Sequence, residues 1–390
     1  MKLTNNSYYF DYNATTPLAN SVKNWIASGD ILFANPASFH QLGKKSKALM
    51  NQTALFLQQY FHTDKKFEVL FHSGATEGMN TFIRGFAEYW ALKKQQIHFF
   101  YSGVDHSCTR ESGIHLAQTG HQSHCFKVDK DGQFNVDQLI QDVLQAKKSG
   151  PVLLNYLWCN NETGVIWPLD LVSKVKKETG CFVHVDAAQV PGKVPHFENL
   201  NTDLDVYSFS GHKFGVMKAI GFSFFKEDFP FTPLLLGGGQ QHGHRSGTEN
   251  PWCYTLQLAL EELKENINWP EALAARDYFL ENFEKYFGTH ALIVAKNAKV
   301  RNTQTISAIF YNKKADETMT LLDLNSIQVS SGAACSSGIV RPSPVLIHMG
   351  HSEDEAKCGI RFSFSPYWNV KLAEDYLSKL KDILGKKFLS

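Results

Sequence analysis

Between residues 68 and 225, short runs rich in β-branched and aromatic residues alternate with amphipathic segments. The runs at 68–72, 97–101, 152–157, 181–185, 204–209 and 220–225 read as buried strands. The segments at about 76–91, 107–119, 135–147 and 168–178 read as helices. A chain that interleaves apolar strands with helices has few solutions. The expected one is a mostly parallel, doubly wound α/β sheet with helices on both faces. In such sheets ligands sit beyond the carboxyl ends of the strands, and Gly74, Asp186 and Ser210 all fall at such ends.

A second pattern starts near Pro251. A long helical stretch, charged on one side and interrupted at Pro270, runs to about Phe287 and suits a connector. Strands near 305–310 and 359–364 and helices near 315–324 and 369–385 follow. The expected division is a large domain over 15–255 and a smaller α+β domain over 256–390, with residues 1–14 folding back onto the latter. No internal repeat and no low-complexity linker is present.

The bulk numbers narrow the partners. Among 390 residues, 39 are Lys or Arg and 38 are Asp or Glu, a formal charge of +1. That balance gives no electrostatic case for nucleic acid or an anionic membrane. Residues 1–7 (MKLTNNS) contain no apolar signal region, and no run of about 18 apolar residues suggests a membrane span. The seven cysteines, an odd number with no Cys-x-x-Cys pair, point to a reducing cytoplasm and not to a zinc cluster.

Two segments carry the strongest chemical signal. In Ser208-Phe209-Ser210-Gly211-His212-Lys213, a lysine follows a small polar turn at the end of a strand. In His184-Val185-Asp186-Ala187-Ala188-Gln189, an aspartate ends an earlier strand, with a glutamine three residues on. Alone, Lys213 would be a surface lysine and Asp186 a cap. Together they are the parts a Schiff-base cofactor needs. Pyridoxal phosphate is held by a lysine imine, and an acidic side chain keeps its ring nitrogen protonated so that the ring can accept electrons.

Other residues gain meaning from that pair. Ser73-Gly74-Ala75-Thr76-Glu77 follows a strand and opens a helix, where an N-terminus favours an anion. The same residues also suit an ordinary cap, and the two roles are compatible. Ser210 and His212 offer further phosphate donors, and His106 ends a strand where it could stack on a ring or relay protons. The glycine-dense segment 237–248, ending in Thr248, reads as a functional loop rather than a plain turn. In Ser330-Ser331-Gly332-Ala333-Ala334-Cys335-Ser336-Ser337-Gly338 a cysteine stands among small residues, accessible as a nucleophile. Cys159 and Cys181, within apolar strands, read as core. Arg361, a charge inside an apolar strand, needs a partner: a substrate carboxylate or a structural ion pair.

The chain resembles the cysteine desulfurases of the class V aminotransferase family, which are fold-type I enzymes that use pyridoxal 5′-phosphate. The resemblance runs from Phe10-Asp11-Tyr12-Asn13-Ala14-Thr15-Thr16-Pro17 to Arg361-Phe362-Ser363-Phe364. It takes in Asn35-Pro36-Ala37-Ser38-Phe39-His40, Asn160-Asn161-Glu162-Thr163-Gly164 and each segment above. It implies that Lys213 carries the imine, Asp186 pairs with the pyridine nitrogen, Gln189 bonds the phenolic oxygen and His106 stacks on the ring. Ala75, Thr76, Ser210 and His212 would surround the phosphate, with Thr248 reaching in from the second subunit of a homodimer. Asn35, Asn161 and Arg361 would engage the amino acid, Asn161 also touching the cofactor.

The activity implied is conversion of L-cysteine to L-alanine, with a persulfide left on Cys335 for a protein sulfur acceptor such as an iron–sulfur scaffold or a tRNA-thiolation relay. The segment from Cys335 to Pro344 looks like the longer of the family's loops. Three departures stand out. Phe214-Gly215-Val216-Met217-Lys218-Ala219 replaces the usual Gly-Pro-Lys-Gly-like turn, Asp105 stands where glutamate is common, and the chain stops soon after its last helix, where some relatives carry a docking tail. Two other readings stay open: a selenocysteine lyase or related C–S lyase, and a sulfur-relay or scaffold relative without turnover.

Overall fold

The computed structural model describes residues 8–29, 32–63, 66–332 and 341–388. The strands are β1 (Tyr8–Tyr9), β2 (Glu68–His72), β3 (His98–Ser102), β4 (Gln122–Phe126), β5 (Val152–Leu157), β6 (Phe182–Asp186), β7 (Val206–Ser210), β8 (Gly221–Phe225), β9 (Ala291–Ile293), β10 (Thr305–Phe310), β11 (Ile327–Gln328) and β12 (Gly359–Ser363). The helices that precede the middle of the chain are α1 (Asn20–Ser28), α2 (Gln41–Tyr60), α3 (Ala75–Leu92), α4 (Ser107–Gln118), α5 (Val136–Ala146) and α6 (Leu169–Thr179). Those that follow are α7 (Tyr254–Asn266), α8 (Trp269–Phe287), α9 (Ala315–Leu324), α10 (Pro344–His348), α11 (Glu353–Ala356) and α12 (Val370–Phe388).

The expected sheet is present. Seven strands are ordered β2-β8-β7-β6-β5-β3-β4, parallel except for β8, which runs antiparallel to both of its neighbours. β5, β7 and β8 are buried at every position, as strands covered on both faces must be. Their continuous apolar runs made them legible. β4 was not anticipated, because it is a half-exposed edge of sequence Gln-Ser-His-Cys-Phe with no apolar run. The opposite edge is closed by a side chain. Gln241 accepts from the Phe71 N–H (2.7 Å) and donates to the Phe71 carbonyl (2.9 Å), filling two positions a further strand would take. The glycine-dense segment therefore reaches back to the sheet.

α2 also lay outside the sequence reading. Its buried face includes Gly43, Ser46 and Thr53 beside Met50 and Leu57, so small and polar residues blur the apolar period. After it, Phe61 inserts its ring among Phe209, Phe222 and Phe224 at centroid distances of 5.1, 5.8 and 5.4 Å.

The apolar side chains segregate. One cluster fills the face of the large sheet covered by α5, α6 and α7, and a smaller one lies beneath α3. A further cluster is built from α8, α12 and a three-stranded antiparallel sheet ordered β12-β10-β9. Phe10 belongs to that last cluster, and β1 pairs in parallel with β11. Phe279 is fully buried in it, against Phe283, Phe364 and Trp368. Phe279→Ala is expected to cost about 3–5 kcal/mol of unfolding free energy, the usual cost of emptying an aromatic core site. Urea denaturation measures it, and a loss under about 1 kcal/mol would show that this cluster collapses around the void.

Candidate active site

The carboxyl ends of β2, β6 and β7 lie side by side, and the chain leaves each in a turn of small or polar residues. Close approach is possible because β8 begins at Gly221. A Cβ there would stand 2.8 Å from the Gly74 Cα and 2.8 Å from the Phe209 carbonyl. Between these ends and β12 opens a cleft of about 670 Å³.

Lys213 closes a single 3-10 turn after β7. Its Nζ donates to the carbonyls of Asn13 and Ala14, each at 2.8 Å. Burial penalises the ammonium, and the Arg361 charge adds to that, bringing its pKa down to about 8 despite Asp11 and Asp186. Asp186 ends β6 and is almost wholly buried. Its Oδ1 accepts from the Ala188 N–H at 3.0 Å. Burial raises its pKa, against the pull of that bond and of His106 and Lys213. His106 caps α4, its Nδ1 accepting from the Cys108 N–H at 3.3 Å. Burial lowers its pKa, so the ring favours the neutral form.

The other side of the cleft is cationic. Arg361, on β12, donates from Nη2 to Asp11 Oδ1 at 2.7 Å and from Nη1 to the Asn161 carbonyl at 3.3 Å. Its Nε is buried without a partner among the described residues. The ion pair anticipated as one possibility exists, and a guanidinium N–H remains for a ligand. At the near end, α3 begins at Ala75 and Gly74 before it gives no side-chain cap, leaving the N–H groups of Ala75 and Thr76 at the cleft. Glu77 would repel an anion there. Although burial raises its pKa, bonds from Arg245 and Ser73 outweigh that and hold it at about 2, so its charge is neutralised by Arg245. Ser210 and His212 complete a cup of donors that suits a phosphate.

Ala75, Thr76, His106, Asn161, Asp186, Gln189, Ser210, His212, Lys213 and Arg361 all line this one cleft. Asn35 and Thr248 do not. Both are exposed, and the Asn35 side chain accepts from the Ala37 N–H in a local turn. Cys335 lies outside the described residues, but the stem before it is in place. Ser330 exchanges two backbone hydrogen bonds with Arg361, and Ser330, Ser331 and Gly332 line the cleft. Cys159 and Cys181 are buried, as read from sequence. No cluster of metal-ligating side chains occurs among the described residues.

Sequence reasoning missed several members. Asn13 supplies a carbonyl to both Lys213 and Gln189. Cys108 lines the cleft, 3.1 Å from His106 Nδ1, and burial pushes its thiol up to about 12. Lys193 stands buried behind Gln189. Only its spacing of four from Gln189 could have signalled it.

Comparison with known proteins agrees with this geometry. The family model described as aminotransferase class-V matches residues 8–372. A curated relative, the cysteine desulfurase IscS of Dictyoglomus turgidum, is 30% identical over 97% of this chain and 94% of its own length. The X-ray structure of a NifS-like protein from Rickettsia africae superposes with a TM-score of 0.82 at 26% identity, covering 97% of this chain and 99% of that one. A structure of SspA in complex with cysteine gives 0.74 at 26% identity, covering 93% and 99%.

The depressed Lys213 amine is directly measurable. Competitive acetylation of the cofactor-free protein, followed by peptide mass spectrometry, should titrate Lys213 with a midpoint near 8. A midpoint at the ordinary lysine value of about 10.4 would mean that the amine is not desolvated.

Proposed function

This chain belongs to the class V aminotransferases, and from that membership we propose that it is a pyridoxal 5′-phosphate-dependent cysteine desulfurase. The observation that carries the reading is one cleft holding Lys213, with its pKa down at about 8, beside the buried Asp186, with Arg361 on its other side. The residues fit the cofactor. The uncapped first turn of α3, with Ala75, Thr76, Ser210 and His212, would hold the phosphate. Asp186 would face the ring nitrogen, Gln189 a ring oxygen, and His106 the ring face.

Bound there, pyridoxal 5′-phosphate supplies an electron sink that makes the α-proton of an amino acid labile. The protein does the rest. Arg361, oriented by Asp11, takes the substrate carboxylate, with Asn161 beside it. Lys213, neutral in a good share of molecules near pH 8, accepts the α-proton, with the neutral His106 as relay. The Cys335 thiolate then attacks the substrate sulfur. An S–S bond forms as the Cβ–S bond breaks, the electron pair goes to Cβ, and a proton joins it there. L-cysteine and a thiol become L-alanine and a persulfide, with atoms and electrons balanced and no outside oxidant. Cys335 is three residues beyond Gly332, a span of at most about 11 Å, so chain length lets it reach the cleft.

Asn35 and Thr248 are proposed to act across a homodimer. Phe33, Phe39 and Leu236, each more than four-fifths exposed, supply apolar surface for it. A protein acceptor, such as an iron–sulfur scaffold or a tRNA-thiolation relay, would take the sulfur. The free cysteines among the described residues suit a reducing cytoplasm, and no helix among those residues is long and apolar enough to cross a membrane. The division into a large domain over 15–255 and a smaller one over the rest is supported by the separate cluster around α8 and α12, although α7 and also Val294, Ile309, Val345, Leu346 and Met349 pack with the first.

The reading is tested with four variants. Lys213→Ala should lose the visible absorbance of the bound cofactor and all turnover. Cys335→Ser should keep the absorbance and lose alanine release by at least about a hundredfold, because a hydroxyl is a poor nucleophile toward sulfur. Wild type treated with cysteine should gain one sulfur in mass on the peptide bearing Cys335. An added sulfur on Cys108 or Cys358 instead would overturn the assignment. Arg361→Ala should raise KM for cysteine at least about tenfold, and Arg361→Lys should restore little, since lysine lacks the planar fork.

A further inference from the structure

Lys193 lies just past the turn that follows β6 and is 2% exposed. Its Nζ donates to Gln189 Oε1 at 2.8 Å and to the main-chain carbonyl of Lys213 at 3.0 Å. Among the described residues it forms no ion pair. A buried cation that meets only neutral acceptors is costly. Burial, and then the charges of Lys213 and Arg361, bring its pKa down to about 7, with Cys159 opposing. It satisfies the Gln189 and Lys213 oxygens, but a neutral donor would do that without the cost of burying a charge.

The hydrogen-bond chemistry gives the lysine a role. An amide side chain can flip, and only its partners decide which end faces which way. Lys193 donates two hydrogen bonds, to Gln189 and to the Lys213 carbonyl, as an ammonium or as a neutral amine, so the end of Gln189 that meets it is the oxygen. A carbonyl can only accept, so the end that meets Asn13 at 2.9 Å must be Nε2. The amide is locked from both ends. One N–H of Nε2 goes to Asn13, and the other is left for the cleft that Gln189 lines. The same ammonium also holds the carbonyl of Lys213, which ties the amide to the backbone of the residue that would carry the cofactor.

We propose that Lys193 is a positioning residue for the cofactor: it fixes the Gln189 amide with Nε2 toward the cofactor's ring oxygen and sets its place relative to Lys213. This rests on the pyridoxal 5′-phosphate reading above. The test titrates pyridoxal 5′-phosphate into the cofactor-free full chain and follows visible absorbance, for wild type, Lys193→Met, Gln189→Ala and the double variant. Lys193→Met should bind at least about tenfold more weakly, the worth of one hydrogen bond to a charged partner, and the maximum of its visible band should shift. In the Gln189→Ala background the same change should cost less than about threefold, because the group it positions is gone. The cofactor-free Lys193→Met protein should still fold and unfold cooperatively in urea. Wild-type affinity and spectrum in Lys193→Met, or losses that simply multiply in the double variant, would overturn the proposal. So would a Lys193→Met protein that fails to fold, which would make the lysine structural. A wild type that takes up no cofactor would instead remove the reading on which the proposal rests.

Discussion

A lysine ammonium taken out of water and given only two backbone carbonyls is the interaction on which this structure turns. Lys213 reaches from the end of β7 to Asn13 and Ala14, so the turn after the strand and the N-terminal segment are held by one side chain. Thr16 reinforces the join, donating through its backbone N–H to the His212 carbonyl and through its hydroxyl to the Lys213 carbonyl. The amine is thereby desolvated, and desolvation brings a lysine into the range where it can exchange protons near neutrality. The contact that joins the large sheet to the N-terminal strand also tunes the reactive group.

Around that contact the chain places more positive than negative charge. Arg361 and Lys218 share the cleft with Lys213, and Lys193 lies directly behind it. Asp11 is spent on Arg361 and Glu77 on Arg245, which leaves Asp186 as a buried carboxylate of the cleft with no side-chain partner in hydrogen-bond contact. Burial also favours the neutral forms of Asp105 and Glu162 nearby, lifting each to about 7. A low-dielectric cleft with this imbalance attracts anions and gives each of them a place. A phosphate suits the helix end and a carboxylate suits Arg361, two requirements a phosphorylated cofactor and an amino acid meet together. Beneath the cleft, His72, Ser223, Ser208 and His184 form a chain of buried hydrogen bonds at 2.8, 2.7 and 2.8 Å across four neighbouring strands. Burial keeps both histidines neutral, at about 4 and 3, so the chain adds stiffness without adding charge.

The sequence made the central strands and the helices that cross over them legible because their periods are unmixed. The run at 152–157 coincides with β5, and 107–119 nearly with α4. It failed where context, not pattern, decides. α2 packs with small residues, and β4 is a polar edge. Residues near strand ends whose side chains line the cleft were legible: Asp186, Ser210, Lys213 and His106. Asn13 was missed as a direct partner because it acts through its carbonyl, which any residue carries. Lys193 was missed because a lysine among Val190, Pro191 and Gly192 looks like surface until the fold buries it. Asn35 and Thr248 matched their motifs yet lie outside this chain's cleft.

The segment that would carry the nucleophile is held at both ends by the site it serves. On one side Ser330 is paired with the backbone of Arg361, and Gly332 presses so closely on Glu162 that a Cβ would overlap the carboxylate. On the other, Ser343 donates to Glu162 Oε2 at 2.5 Å while it caps α10. One buried acid therefore touches both stems, and it lies within the electrostatic reach of Arg361. Both stems therefore start from the frame that also holds Arg361. Glu162 and Ser330 provide that frame. The positions of both stems are thereby set by β12 and the turn before Val165.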